Sequence, residues 1–242
     1  VFRRGGVNIF YLYKYQQIED LTQQKQLSNA RTWPLGKCGR IPNINPKFVT
    51  HLERQLSMKF ILDFENESEN SFGPEDVFHY IYALLCSPTF RKRYAEFLKL
   101  DFPRIPLTSD ITIFRKLCTL GKELVSLHLL EPSKLEESRF LTHYPVPGNN
   151  IVAKGYPEFV ILEKGMGRVY INTSQYLENV PENVWNFHVG GYLVCEKWLK
   201  DRRGRQLSYD DITKYRRIIA TLIETIHLME EIDKAIPEWP VK

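Results

Sequence analysis

The stretch SYDDITKYRRIIATLIETIHLMEEIDKAIP, residues 208–237, carries the clearest periodic pattern in the sequence. Its apolar side chains recur three and four residues apart, which is the period of an α-helix with one buried face. They are Ile212, Tyr215, Ile219, Leu222, Ile226 and Met229. Ser208 followed by Asp211 resembles a capping box, and Pro237 ends the pattern. We predict a long C-terminal helix that packs either on the domain's own core or on a partner helix.

Further helices are predicted upstream of this stretch. Apolar residues at helical spacing follow Pro46, and a second amphipathic run begins at Pro74, where a missing N–H costs nothing. Ser87 before Pro88 predicts the cap of a third helix. A long amphipathic segment follows residues 108–110, one of which should cap it. Gly121 within that segment predicts a close approach by another element.

Two parts of the sequence predict strands instead. Residues 7–13 are apolar and rich in tyrosine, and residues 159–162 and 168–171 flank Lys164-Gly165-Met166-Gly167, which is typical of a β-hairpin. We therefore expect a helix-rich α+β fold with a small antiparallel sheet, formed by the N-terminal strand and the 159–171 hairpin, and a long C-terminal helix.

Loops rich in proline and glycine divide the chain. The loop at 143–150 is the best internal boundary. We expect an N-terminal strand and polar loop over 1–40, a helical part over 41–140, and the hairpin with the C-terminal helices over 141–242. We expect all three to belong to one domain. We interpret the chain as a fragment of a larger multidomain protein, because the sequence starts at Val1 without an initiator methionine.

The composition is that of a folded protein. Of 242 residues, 43% are hydrophobic and 26% charged, and the net charge is only +4. No apolar run approaches the roughly 18 residues that span a bilayer, and no signal peptide is recognisable. The four cysteines are widely spaced, which favours reduced, buried thiols in a cytoplasmic protein that has no membrane partner.

The basic residues are concentrated in one region. Residues 197–217 contain eight lysines and arginines against three aspartates, a local charge of +5. Phosphate neutralisation requires such a local patch. A solvated helix face with a basic turn explains the same charges equally well.

Known catalytic motifs are absent from the sequence. Asn45-Pro46-Lys47-Phe48 only superficially resembles the tetrapeptide of adenine methyltransferases, because Lys47 replaces a proline and no glycine-rich cofactor loop precedes it. There is no phosphate-binding loop. The six histidines show no metal-ligand spacing. We expect a binding module without a catalytic, cofactor or metal site of its own.

Several stretches, in fixed order from about Arg40 onward, resemble the C-terminal specificity domain of type ISP restriction-modification enzymes. These enzymes combine methyltransferase, helicase and nuclease in a single chain. The stretches include Arg40–Ile44, Glu75–Leu85, Ser87–Tyr94, Phe97–Leu107, Leu120–Val125, Arg168–Asn172, Trp185–Phe187, Gly190–Tyr192 and Lys197–Arg205.

The resemblance implies a target-recognition domain that reads double-stranded DNA for a bacterial defence enzyme. The parent would carry adenine-N6 methyltransferase, ATP-dependent translocase and nuclease activities, with S-adenosylmethionine, ATP and Mg in its other domains. The methyltransferase and helicase domains of the same chain would then be partners. The alternative is a structural coupler that docks those domains without reading bases.

Recognition requires cations that hold phosphates and side chains that reach base edges. The turn with Arg202, Arg203 and Arg205 is the first candidate, and Lys197 and Lys200 are candidate phosphate contacts. A second candidate is the hairpin tip, where Lys164 and Arg168 could enter a groove. The remaining candidates are Lys154, Arg91 and Arg93. We expect Trp185 and Trp198 to be core aromatics.

Overall fold

The computed structural model describes residues 11–15, 40–62, 70–131 and 141–241. Its contacts divide the chain into two compact units: residues 1–122 with 232–242, and residues 123–231. The loop at 143–150 lies within the second unit, and the divisions fall inside two helices. Most of the predicted N-terminal strand and polar loop over 1–40 lies outside the described residues.

The first unit combines short strand pairs with helices. β1 (Tyr13–Tyr15) pairs antiparallel with β2 (Arg40–Pro42), and β3 (Lys59–Phe60) pairs parallel with β4 (Ser71–Phe72). The helices are α1 (Pro46–Leu56), α2 (Pro74–Cys86), α3 (Pro88–Arg93), α4 (Ala95–Leu100) and the first part of α5 (Ile111–His128). β1 includes only the last residue of the predicted strand at 7–13, and it pairs with β2 in a sheet separate from that of the hairpin.

Helix caps in the first unit follow the predicted chemistry. Ser87 Oγ accepts a hydrogen bond from Phe90 N at 3.0 Å, which caps α3. Of residues 108–110, Asp110 caps α5, because its Oδ1 accepts from Thr112 N at 2.7 Å. The core contains Phe114, whose ring lies 5.8 Å from Phe72 and 5.2 Å from Tyr80. These three side chains are fully buried.

The second unit is built on a three-stranded antiparallel sheet. β5 (Glu158–Ile161) and β6 (Met166–Tyr170) form the predicted hairpin, and β7 (Tyr176–Pro181) adds the third strand. The register between β6 and β7 shifts at a bulge, where Asn179 has a φ of 60°. The bulge places both Leu177 and Val180 in the core although they are three residues apart. This spacing hides the strand from a search for alternating residues.

Short elements connect the sheet to the long helix. They are α6 (Glu182–Trp185), the hairpin of β8 (His188–Val189) and β9 (Tyr192–Leu193), α7 (Val194–Lys200) and α8 (Tyr209–Ala235). The capping box of α8 is present, since Asp211 N donates to Ser208 Oγ and Ser208 N donates to Asp211 Oδ2, both at 3.1 Å. Most of the α8 seam belongs to a core with Val169, Ile171 and Leu199. Packing on the domain's own core is therefore confirmed for this helix.

Candidate nucleic-acid interface

The arginine-rich segment between α7 and α8 is an exposed turn, as predicted. Gly204 sits at its tip with a φ of 77°, and a Cβ there would meet nothing within 4 Å. The turn is fixed to a distant part of the chain by two backbone bonds. Gly204 N donates to Val152 O at 2.8 Å, and Val152 N donates to Arg205 O at 3.2 Å. Because Val152 is fully buried in the second unit, these two bonds fix the position of the turn.

The same attachment brings Lys154 next to the arginine turn. Lys154 and Gly155 form an exposed turn directly after Val152. Arg203 Nε donates to the carbonyl of Tyr156, on the far side of that turn. Two candidates that are 49 positions apart in sequence thus share one surface. Within the described part of the chain, neither cation has a carboxylate partner.

Three other candidates on this surface form ion pairs. Lys197 Nζ lies 2.5 Å from Asp201 Oδ2, and Lys200 Nζ lies 2.8 Å from Glu196 Oε1, each pair one helical turn apart. Arg205 Nη2 lies 2.9 Å from Asp211 Oδ2. Exposed pairs of this kind contribute little to stability. They do hold each cation in a defined place, and they reduce the net charge that the surface presents.

Arg202 points toward the protein rather than away from it. Its guanidinium carbon lies 3.6 Å from the centroid of the Trp198 ring, and Nη1 donates to Trp198 O at 2.9 Å. Trp198 in turn packs on Tyr215, with 4.9 Å between ring centroids. Arg202 therefore fixes the start of the turn. Trp198 and Trp185 both pack against the core, as predicted.

Of the two cations predicted at the hairpin tip, only Lys164 lies there. Lys164 and Gly165, with φ values of 56° and 72°, form the exposed turn. Arg168 lies within β6, where its guanidinium is 4.3 Å from the centroid of the Tyr176 ring and 3.5 Å from Glu178. Gly167 is buried, and a Cβ there would lie 2.4 Å from the Phe159 ring. The expectation that Arg168 sits at the tip is wrong, because the strand begins before it at Met166.

Arg91 and Arg93 belong to the first unit. Both are exposed in α3, and Arg91 Nε donates to Leu85 O at 2.6 Å. The β8–β9 hairpin lies directly before α7. The sequence feature that indicates this hairpin is the Gly190-Gly191 pair, which is typical of a two-residue hairpin turn.

Candidate catalytic features have structural roles in the described residues. Asn45 is the N-cap of α1, and its Oδ1 accepts from Lys47 N at 2.9 Å. Cys86, Cys118 and Cys195 are buried, and burial raises the pKa of Cys195 to about 12. Cys38 lies outside the described residues. Among the residues that are described, no group of three or more His, Cys, Asp or Glu side chains could hold a metal ion.

The helices in the described ranges include none that is both long and apolar enough to cross a membrane.

The molecule is a helix-rich α+β domain with a fixed, exposed turn of cations. It belongs to the family of type ISP C-terminal specificity domains, whose model matches residues 1–231. No curated protein is significantly similar to the chain in sequence.

Two solved structures of DNA-bound proteins contain a similar fold. The chain is similar to LlaBIII, an ATP-dependent type ISP restriction-modification enzyme bound to DNA, with 21% identity over 84% of this chain and a TM-score of 0.56. It is similar to DrdV in a DNA complex, with 20% identity over 84% of this chain and a TM-score of 0.57. A nuclease-deletion mutant of LlaGI with a DNA substrate mimic matches 69% of this chain at 25% identity and a TM-score of 0.49. The matches span only 12%, 21% and 14% of those chains, respectively.

Proposed function

We propose that this chain grips double-stranded DNA and reads a target sequence for a type ISP restriction-modification enzyme. One observation carries the proposal: the backbone bonds of Val152 and the hydrogen bond from Arg203 to Tyr156 O join the arginine turn to the turn that carries Lys154, and both turns are exposed. Cations held in this way suit phosphate contacts, which set the register of a protein on a duplex. Family membership and the DNA-bound structures of LlaBIII and DrdV support the same function.

The paired cations beside them fit a second tier of phosphate contacts. Lys197, Lys200 and Arg205 would exchange their carboxylates for phosphate oxygens on binding. The cost of breaking the ion pairs then offsets part of the favourable free energy of DNA binding. This reduces non-specific affinity, which arises almost entirely from phosphate neutralisation. Base readout would then contribute more to the difference between target and other DNA.

The other activities of the parent are part of the same proposal. Upstream domains would transfer a methyl group from S-adenosylmethionine to adenine N6, translocate with ATP and Mg, and cut DNA in the bacterial cytoplasm. This chain would hold the duplex so that the methyltransferase domain can reach its adenine. The small share of each solved chain that our sequence matches supports such a division of labour. The chain itself would supply binding and orientation.

The experiment that tests this function is selection of the purified chain against a randomised duplex pool, followed by titration of the winners at several salt concentrations. We expect an enriched motif and an affinity that falls steeply with salt. Lys154→Ala/Arg203→Ala should reduce the magnitude of the salt slope by about 2, since each phosphate contact contributes roughly 0.9. Lys47→Ala/Lys116→Ala, which removes two exposed lysines of the first unit, is the control for total charge.

A second function, coupling of neighbouring domains, is favoured by an apolar groove in the first unit. The groove has a volume of about 570 Å³ and is lined by residues including Phe90, Tyr94, Phe97, Leu98 and Phe102. Phe97 and Phe102 are 72% and 63% exposed. A coupler needs such a surface but needs no base readout. Failure to enrich any motif, with no binding even at about 50 mM salt, would leave coupling as the better function.

A further inference from the structure

The β8–β9 hairpin is an exposed part of the second unit. Gly190 and Gly191 connect its strands with φ values of 59° and 91°. Positive φ at both central residues is the pattern of a type I′ turn, whose twist matches that of the two strands. A Cβ on either glycine would meet nothing within 4 Å. The tip therefore lies in open space, and its backbone can approach another molecule closely.

Two apolar side chains flank this tip. Val189 is paired with Tyr192 in the register of the hairpin, so both side chains lie on the same face of the ribbon. Val189 is 60% exposed and Tyr192 is 62% exposed. Neither belongs to the core cluster of the second unit. An apolar pair at an exposed turn contributes little to folding and is well placed for an intermolecular contact.

Two lysines, each paired with a carboxylate, lie on the helix that follows the apolar pair. The Nζ atom of Lys197 is 5.9 Å from the centroid of the Tyr192 ring. Helix α7 starts immediately after β9 and carries both Lys197 and Lys200, about one helical turn apart. The arginine turn follows α7 in the chain. Glu196 and Asp201 accompany these lysines as ion-pair partners. An apolar tip next to lysines that can exchange their carboxylates for phosphates is complementary to nucleic acid, which combines base edges with phosphates.

We propose that the β8–β9 hairpin enters the major groove of the target DNA and that Val189 and Tyr192 pack against base edges there. The proposal rests on the DNA-recognition function above and identifies the part of the chain that reads sequence. A two-stranded ribbon fits a groove about 12 Å wide, and apolar side chains distinguish bases there by contact with the thymine methyl group. Lys197 and Lys200 hold the phosphates that border the same groove.

The test is to repeat the selection with Val189→Ala/Tyr192→Ala. We expect the variant to lose its preference at one or two neighbouring base positions. Its affinity for the original target should fall about tenfold, while the salt slope and the affinity for random duplex stay unchanged, because no cation is removed. Tyr192→Ser alone provides a milder variant in case the double substitution does not fold.

A matched control removes another exposed apolar pair of the same unit. Leu129→Ala/Leu141→Ala changes residues that are 68% and 58% exposed in the second unit, and it should keep the motif of the original chain. If the unmodified chain enriches a motif and the hairpin variant enriches the same one, the hairpin proposal is overturned and the DNA-recognition function stands. If the unmodified chain enriches nothing, both fail.

Discussion

At the scale of single residues, Asp211 links the start of α8 to the candidate interface. Its carboxylate accepts hydrogen bonds from Ser208 N and Ser208 Oγ, both at 3.1 Å, and it pairs with Arg205. Burial acts to raise the pKa of Asp211. The hydrogen bonds from Ser208 and the charge of Arg205 outweigh that effect and hold the pKa below its usual value. The ionised carboxylate is therefore the form that the fold stabilises.

We predict that Asp211→Asn lowers the free energy of unfolding by about 1 kcal/mol near neutral pH, because a negative charge at the helix N-terminus and its charge-assisted hydrogen bonds to Ser208 are lost. A group whose pKa is depressed by folding stabilises the protein above its unfolded pKa of about 3.9, and this contribution disappears as pH falls through the folded value. Urea denaturation at pH 7 and pH 3 measures the difference. Asp210→Asn removes the same charge from the same helical turn and should cost less. An equal cost for both variants would contradict the cap assignment.

At the scale of elements, the packing of α2 on α5 depends on a residue without a side chain. A Cβ on Gly121 of α5 would lie 2.0 Å from the carbonyl oxygen of His79 in α2. We predict that Gly121→Ala destabilises the first unit by about 3 kcal/mol, because the helices must separate to admit the methyl group. Helix propensity alone predicts the opposite, a gain of about 1 kcal/mol. Chemical denaturation decides between them, with the exposed Lys116→Ala on the same helix as the control.

The starts of several helices could be predicted from the sequence, because capping side chains define them locally. Ser87, Asp110 and Ser208 lie at helix starts because their side chains satisfy free N–H groups within three residues. The β7 strand was not predicted, since the bulge at Asn179 breaks the alternation of its apolar residues. The pairing of Arg203 with the Lys154 turn also could not be predicted. It depends on bonds between segments about fifty residues apart, which no local pattern records.

At the scale of the whole molecule, the two units differ in what their surfaces offer. The predicted boundary at 143–150 came from proline and glycine, which mark loops. The structural divisions fall within α5 and α8, where the helical period continues without interruption. The sequence of a continuous helix does not show at which residue the helix passes from one compact unit to the other. The cation surface belongs to the second unit and the apolar groove to the first, so the two candidate functions can be separated by substitution.

We predict that Phe97→Ser/Phe102→Ser leaves DNA affinity within about twofold of the original chain, because both rings are mostly exposed and no cation is lost. Lys154→Ala/Arg203→Ala should weaken binding about tenfold at moderate salt, since two phosphate contacts are removed together. Titration of one selected duplex against both variants, with denaturation curves to verify folding, provides the comparison. A groove variant that loses as much DNA affinity as the cation variant would show that recognition extends onto the first unit. Affinity that survives in the groove variant alone would assign recognition to the second unit and leave the groove free for a neighbouring domain.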